Sequence, residues 1–144
     1  MIILMADDDE DDRLLAADAL RHARIVNPLL CVADGEELMD YLHLRGQYAS
    51  PVVAPRPGII LLDLNMPRKD GREALKEIKS DAALRSIPVV VFTTSETSED
   101  IERVYAMGAN SYISKPVTFE GLVRTLKALG DFWFQATRLP GVNP

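Results

Sequence analysis

A chain of 144 residues is long enough for one well-buried domain and too short for two ordinary ones. Hydrophobic residues make up 47% and charged residues 26%, as in a folded globular protein, and the net charge of −6 argues against nucleic acid as a direct partner. No apolar run approaches the roughly 20 residues that cross a bilayer, nothing at the N-terminus reads as a signal peptide, and the single cysteine, in Leu29-Leu30-Cys31-Val32, reads as an inert core thiol in a reducing cytoplasm.

The first apolar run, residues 2–6, leads straight into Asp7-Asp8-Asp9. A helical pattern at 11–24 follows, with Leu15, Ala19 and Ala23 on one face. Asp9 is placed to cap it, and Glu10, Asp11 and Asp12 read as solvated acids of its first turn. A second apolar run spans 29–33 and a second helical pattern 35–46. Residues 47–57 are too rich in proline for a helix and carry no catalytic residue types, so they read as a surface loop. The third run, 58–62, ends at Asp63, after which Pro67 and Asp70-Gly71 break the chain ahead of a helix at 71–80. A fourth run at 87–93 precedes a helix at 97–107 that Gly108 closes. The fifth run, 110–113, precedes a last helix at 118–135, capped by Thr118 with Glu120 in its first turn. Five such alternations predict an α/β fold, a doubly wound parallel sheet of five strands with helices on both faces.

In that architecture the chemistry-bearing residues converge. Asp7 and Asp8 end the first strand and Asp63 the third, where open α/β sheets bind ligands. An acid inside a strand buried on both faces would be a costly unpaired charge, but at the strand's end it can join a hard-oxygen site suited to Mg²⁺. The fourth strand ends in the hydroxyls of Thr93, Thr94 and Ser95, and the fifth in Lys115-Pro116. A cation and the lysine would relieve the repulsion of three acids. They would also complete a phosphoryl-transfer site, with Asp63 as nucleophile and a threonine hydroxyl on an equatorial oxygen. Taken singly, each residue has an ordinary role: helix-start acids, a turn aspartate, a strand threonine, a surface lysine. Their conjunction at successive strand ends carries the inference.

These residues resemble the receiver domain of two-component response regulators over nearly the whole chain. The resemblance implies the flavodoxin-like strand order 2-1-3-4-5. It implies that Asp63, in Leu62-Asp63-Leu64-Asn65-Met66-Pro67, is the phosphoacceptor. Mg²⁺ is then bound by Asp8, Asp63 and the backbone carbonyl of Asn65, and by Asp7 through a water. Thr93 matches the switch hydroxyl and Tyr112 the switch aromatic: phosphorylation would draw Thr93 in and turn Tyr112 to fill the space behind it. Lys115 matches the phosphate-bridging lysine, before a cis Pro116. Thr94 stands where the family has Ala or Gly, so both threonines are candidates for phosphate binding, with Thr93 favoured by its place at the strand's end. Asp7 replaces a frequent Glu.

A narrower likeness rests on the loop at 47–57 and the tail from Gly130 to Pro140. They resemble the stand-alone receivers serving bacterial and cyanobacterial phytochrome kinases. The implied partners are a sensor histidine kinase of bacteriophytochrome type and a downstream target or phosphotransfer protein. With no output module expected, no direct DNA binding and no membrane association follow. A phosphatase of haloacid-dehalogenase type fits less well, because its nucleophile lies on the first strand with an Asp two residues on, where this chain has Asn65. A pseudo-receiver would not keep Asp8, Asp63, Thr93 and Lys115 together.

The expected domain is 1–130, with 131–144 as an extension of the last helix and an arm. Phe119, Leu122, Val123, Leu126 and Trp133 keep one helical face for the core. Phe132 and Phe134 must point to other sides, so at least one aromatic should lie in an exposed apolar patch. That predicts a homodimer built on the last helix and arm, the alternative being a tail folded back over its own domain. His22 and His43 are isolated and receive no role.

Overall fold

A computed structural model describes residues 1–95 and 97–136, with side chains as far as Trp133. The arm beyond Ala136 and the side chain of Phe134 lie outside the described residues. The elements are β1 (Ile3–Ala6), α1 (Glu10–His22), β2 (Leu29–Val32), α2 (Gly35–Leu42), β3 (Ile59–Leu62), α3 (Gly71–Ser80), β4 (Val89–Thr93), α4 (Ser98–Ala106), β5 (Ser111–Ser114) and α5 (Phe119–Leu129). All strands are parallel, in the order β2-β1-β3-β4-β5.

The period-2 alternation of a strand divides the core in two. Ile3, Met5, Ile59, Leu61, Val90 and Phe92 face α1 and α5, where Ala16, Ala19, Leu20, Leu122, Leu126 and Leu129 close over them. Leu4, Ala6, Ile60, Leu62, Val89 and Val91 face α2, α3 and α4, meeting Leu38, Met39, Leu75, Ile78 and Val104. Strands buried on both faces are why the runs read as continuously apolar. Removing a side chain such as Leu75, fully buried, should cost about 2–5 kcal/mol.

Capping follows the sequence. The Asp9 carboxylate accepts from the amides of Asp11 and Asp12, Asp70 caps α3 and Thr118 caps α5. Gly108 takes φ +104 after α4. Gly71 has another reason to be glycine: a Cβ there would collide with the backbone carbonyl of Asp63.

The structure corrects four expectations. Cys31 is exposed, not core. It pairs with Met5 on the α1 side, but β2 is an edge strand and leaves its outer flank uncovered. The second helix stops at Leu42, where Leu44 at φ 55 and Gly46 at φ 58 leave the helical region, and a 3₁₀ turn covers Gly46–Tyr48. The loop at 47–57 is not wholly superficial. Ala54 is buried in the core, Tyr41 donates to the carbonyl of Pro55 (2.7 Å), and Arg56 donates to the carbonyl of Ala83 (2.8 Å). Finally, no described peptide bond is cis, so Lys115–Pro116 is trans, the form that is preferred by about 0.5–1 kcal/mol before proline.

The last helix continues past Leu129 as a widened π-helical segment, Gly130–Ala136. Trp133 packs on the α1–α5 core, with Phe119 and Val123, as its spacing predicts. Phe132 is 57% exposed and meets Trp133 edge-on.

Candidate phosphoacceptor site

The sheet ladder runs one residue past the strands. The Asp7 amide donates to the carbonyl of Val32 (3.0 Å), that of Asp63 to Ala6 (3.0 Å), and that of Lys115 to Thr93 (2.8 Å). Asp7 and Asp63 are therefore fixed side by side at the carboxyl edge of the sheet, with Lys115 beyond β4 on the same edge.

Asp7 is fully buried, Asp63 is 6% exposed and Thr93 is fully buried, whereas Asp8 is exposed. One carboxylate oxygen from each of Asp7, Asp8 and Asp63 lies within 4.8 Å of the other two. The Lys115 ammonium stands 2.6 Å from Asp7 Oδ2, 2.8 Å from Asp12 Oδ2 and 3.1 Å from Asp63 Oδ2. Asp63 Oδ1 accepts from Thr93 Oγ1 (2.8 Å) and from the Asn65 amide (3.3 Å). Asp7 Oδ1 accepts from the Asp9 amide (2.9 Å), and Arg13 donates to the Asp7 carbonyl (2.7 Å). Asn65 and Thr94 are exposed, and Thr94 makes no side-chain hydrogen bond among the described residues.

Burial pushes the Asp7 carboxyl above its usual range, against the lowering effect of Lys115 and the Asp9 amide. For Lys115 burial acts to lower the pKa, but the carboxylates of Asp12, Asp7 and Asp63 outweigh it and hold the amine above its usual value. The acids thus hold the lysine in its charged form. Their donor set suits a hard divalent cation. Asp7 Oδ2 is buried and accepts no well-directed hydrogen bond, although the ammonium is close. Three carboxylates converging on one point match oxygen-ligand chemistry.

Behind this cluster, Tyr112 on β5 is half-buried against the α2–α4 core and donates its hydroxyl to the carbonyl of Ser95. Thr93 is thus hydrogen-bonded to Asp63, and Tyr112 is tied to the end of the strand that carries Thr93. Thr93 can donate to the bare Asp63 carboxylate as readily as to a phosphoryl oxygen, so the contact needs no phosphate.

Sequence reasoning missed two features. Asp12 is not simply solvated but joins Lys115; its place four residues after Asp8, on the first turn of a helix that begins at the site, was the available signal. The second is an ion pair: Arg72 on α3 holds Asp100 on α4 through two bonds (2.8 and 2.6 Å), and Ser95 Oγ donates to Asp100 (2.6 Å). Nothing in the local sequence marks that pair, which joins residues 28 apart.

The description of the response regulator receiver domain matches residues 3–127, and the chain belongs to that family. It is 37% identical to the response regulator Rcp1 of Synechocystis sp. over 96% of this chain and 92% of Rcp1. Rcp1 has also been solved in a Mn²⁺-bound form, which superposes with a TM-score of 0.88. The phosphorylated cyanobacterial phytochrome response regulator RcpA is 41% identical, with a TM-score of 0.90 over 97% of this chain and 98% of RcpA. RPA3017, a response regulator in red light signaling of R. palustris, is 35% identical with a TM-score of 0.92, covering 98% of this chain and 99% of that one. This chain is a receiver-domain response regulator related to the phytochrome response regulators, in a family that binds divalent metal and works with histidine kinases.

Proposed function

We propose that this receiver takes a phosphoryl group onto Asp63 from the phosphohistidine of a sensor kinase. An Asp63 carboxylate oxygen forms the new P–O bond as the P–N bond breaks, and the imidazole leaves with the electron pair. The observation that carries this is the convergence of buried Asp63 with Asp7, Asp8, Thr93 and Lys115. Lys115 offsets charge on the transferring group, and Thr93 donates to one of its oxygens. Asp8, Asp63 and the Asn65 carbonyl would hold Mg²⁺, with Asp7 acting through a water. The ion supplies charge neutralisation across the phosphoryl oxygens. Thr94 adds at most its exposed hydroxyl at the rim of the site.

Acetyl phosphate with Mg²⁺ should add one phosphoryl group by intact mass. EDTA should prevent it and Asp63→Asn should remove it. Undiminished labelling of Asp63→Asn would sink the assignment.

The kinase we assign is of phytochrome type, supported by the likeness to RcpA, Rcp1 and RPA3017. Phosphotransfer profiling against the histidine kinases of the source organism tests it, and preferred transfer from an unrelated kinase would reject it. Output through a protein target or a phosphotransfer protein, not DNA, suits the acidic charge, and a cytoplasmic location suits such a partner. No described helix is long and apolar enough to cross a membrane. We also assign a homodimer to the last helix and arm, supported by exposed Phe132. Sedimentation of the full chain beside a version ending at Gly130 should show dimer only for the former, and a full chain monomeric at micromolar concentration would refute it.

A further inference from the structure

One acid at the site has no part in the phosphoacceptor assignment. Asp12 Oδ2 lies 2.8 Å from the Lys115 ammonium, nearer than Asp63 Oδ2 at 3.1 Å. It comes from the first turn of α1, whereas Asp7 and Asp63 come from the sheet. Its backbone is held, because the Asp12 amide donates to the capping carboxylate of Asp9 (3.2 Å). Its side chain is 35% exposed, against 11% for that of Lys115. Asp12 also stands outside the three acids whose oxygens converge.

This matters because Lys115 and a divalent cation need the same oxygens. Both are drawn to Asp7 and Asp63, and at such range they repel each other. An ammonium that lost those partners with nothing to receive it would either resist the cation or leave the site. Resting on the receiver assignment above, we propose that Asp12 is a positioning residue: it keeps the Lys115 ammonium beside Asp63 when a divalent cation takes the Asp7 and Asp63 carboxylates. Asp12 touches neither the phosphoryl group nor the metal. It acts through Lys115, handing that side chain a third carboxylate on a separate element, so that cation and ammonium can occupy the site together.

Calorimetric titration of the full chain with Mg²⁺ alone separates this role from a general charge effect. Asp12→Asn, nearly isosteric on a solvent-facing turn, should weaken Mg²⁺ binding about threefold, the scale of coupling between contacting residues. In a Lys115→Met background the same change should have clearly less effect. Asp12→Glu should restore most of the affinity, and Asp12→Ser should behave as Asp12→Asn does. Equal losses in both backgrounds would mean that Asp12 acts only as distant charge and would overturn the proposal, as would unchanged affinity in Asp12→Asn. A wild-type chain that binds no Mg²⁺ would instead overturn the proposed Mg²⁺ site, and the role of Asp12 with it.

Discussion

Two half-buried cations, Lys115 and Arg72, sit in opposite situations. Lys115 stands among three carboxylates, Asp7, Asp12 and Asp63, with Asp8 close by. Arg72 holds Asp100 through two directed bonds and Asp70 through a third contact at 3.1 Å, while Ser95 completes Asp100. The arginine pair is closed: its donors and acceptors meet in a geometry that leaves nothing to bind. The lysine cluster is open, carrying more negative charge than one ammonium balances. A closed ion pair fixes α4 against α3, and an open one is poised to take a further positive charge or to donate a nucleophile.

That contrast can be broken most directly at Lys115. Lys115→Met should slow phosphorylation by acetyl phosphate about 100-fold. In EDTA it should lower stability by about 3 kcal/mol, because buried acids lose their counter-charge. Denaturant melts with and without Mg²⁺ should show much of that loss recovered by the ion. Failure of Mg²⁺ to recover any stability would erase the distinction between the open cluster and the closed pair.

Asp100→Asn should cost about 1–2 kcal/mol at neutral pH, since bonds to charged groups are worth more than neutral ones. Here Mg²⁺ should make no difference to the loss. Its pH dependence has a definite sign. Arg72 beside it, and then Ser95, hold the Asp100 carboxyl far below the usual carboxylate range. Its contribution is therefore complete above the ordinary value of 3.8 and fades as pH falls through the depressed one. The gap between wild type and Asp100→Asn should narrow only in that acid region. A gap that closed between pH 5 and 7 would require some other group.

The smallest effect belongs to the hydroxyl between the two regions. Thr93→Ala loses its bond to Asp63, about 1 kcal/mol, yet should still accept the phosphoryl group. Beryllofluoride should then shift the NMR signals of Tyr112 and Ser95 less than in wild type. Equal shifts in both proteins would show that Thr93 does not transmit the change.

Much of this was legible in the sequence because a parallel sheet writes itself as apolar runs, and its ligand edge as the first polar residue after each. Asp7, Asp63 and Thr93 announce themselves in that way, and Lys115 follows its strand directly. What escaped depends on partners distant along the chain. Cys31 sits in an apolar run like the others, and the run alone does not show that its strand lies at the edge, although the strand order implied by the resemblance does. Asp12 looks like any first-turn acid until β5 delivers Lys115 to it. Arg72 and Asp100 belong to separate helices whose relative placement no local pattern encodes. The same holds for the loop at 47–57, whose prolines foretell a turn but not that Ala54 enters the core.

The ladder bonds that hold the amides of Asp7, Asp63 and Lys115 to neighbouring strands have a consequence for motion. The Asp63 amide can exchange with solvent only when the central β1–β3 pair separates, whereas those of Asp7 and Lys115 need only an edge strand to part. The phosphoacceptor therefore rests on backbone that moves no more than the core does, while its lysine partner rests on an edge. A hydrogen-exchange map should show the Asp63 amide among the slowest, with those of Asp7 and Lys115 faster.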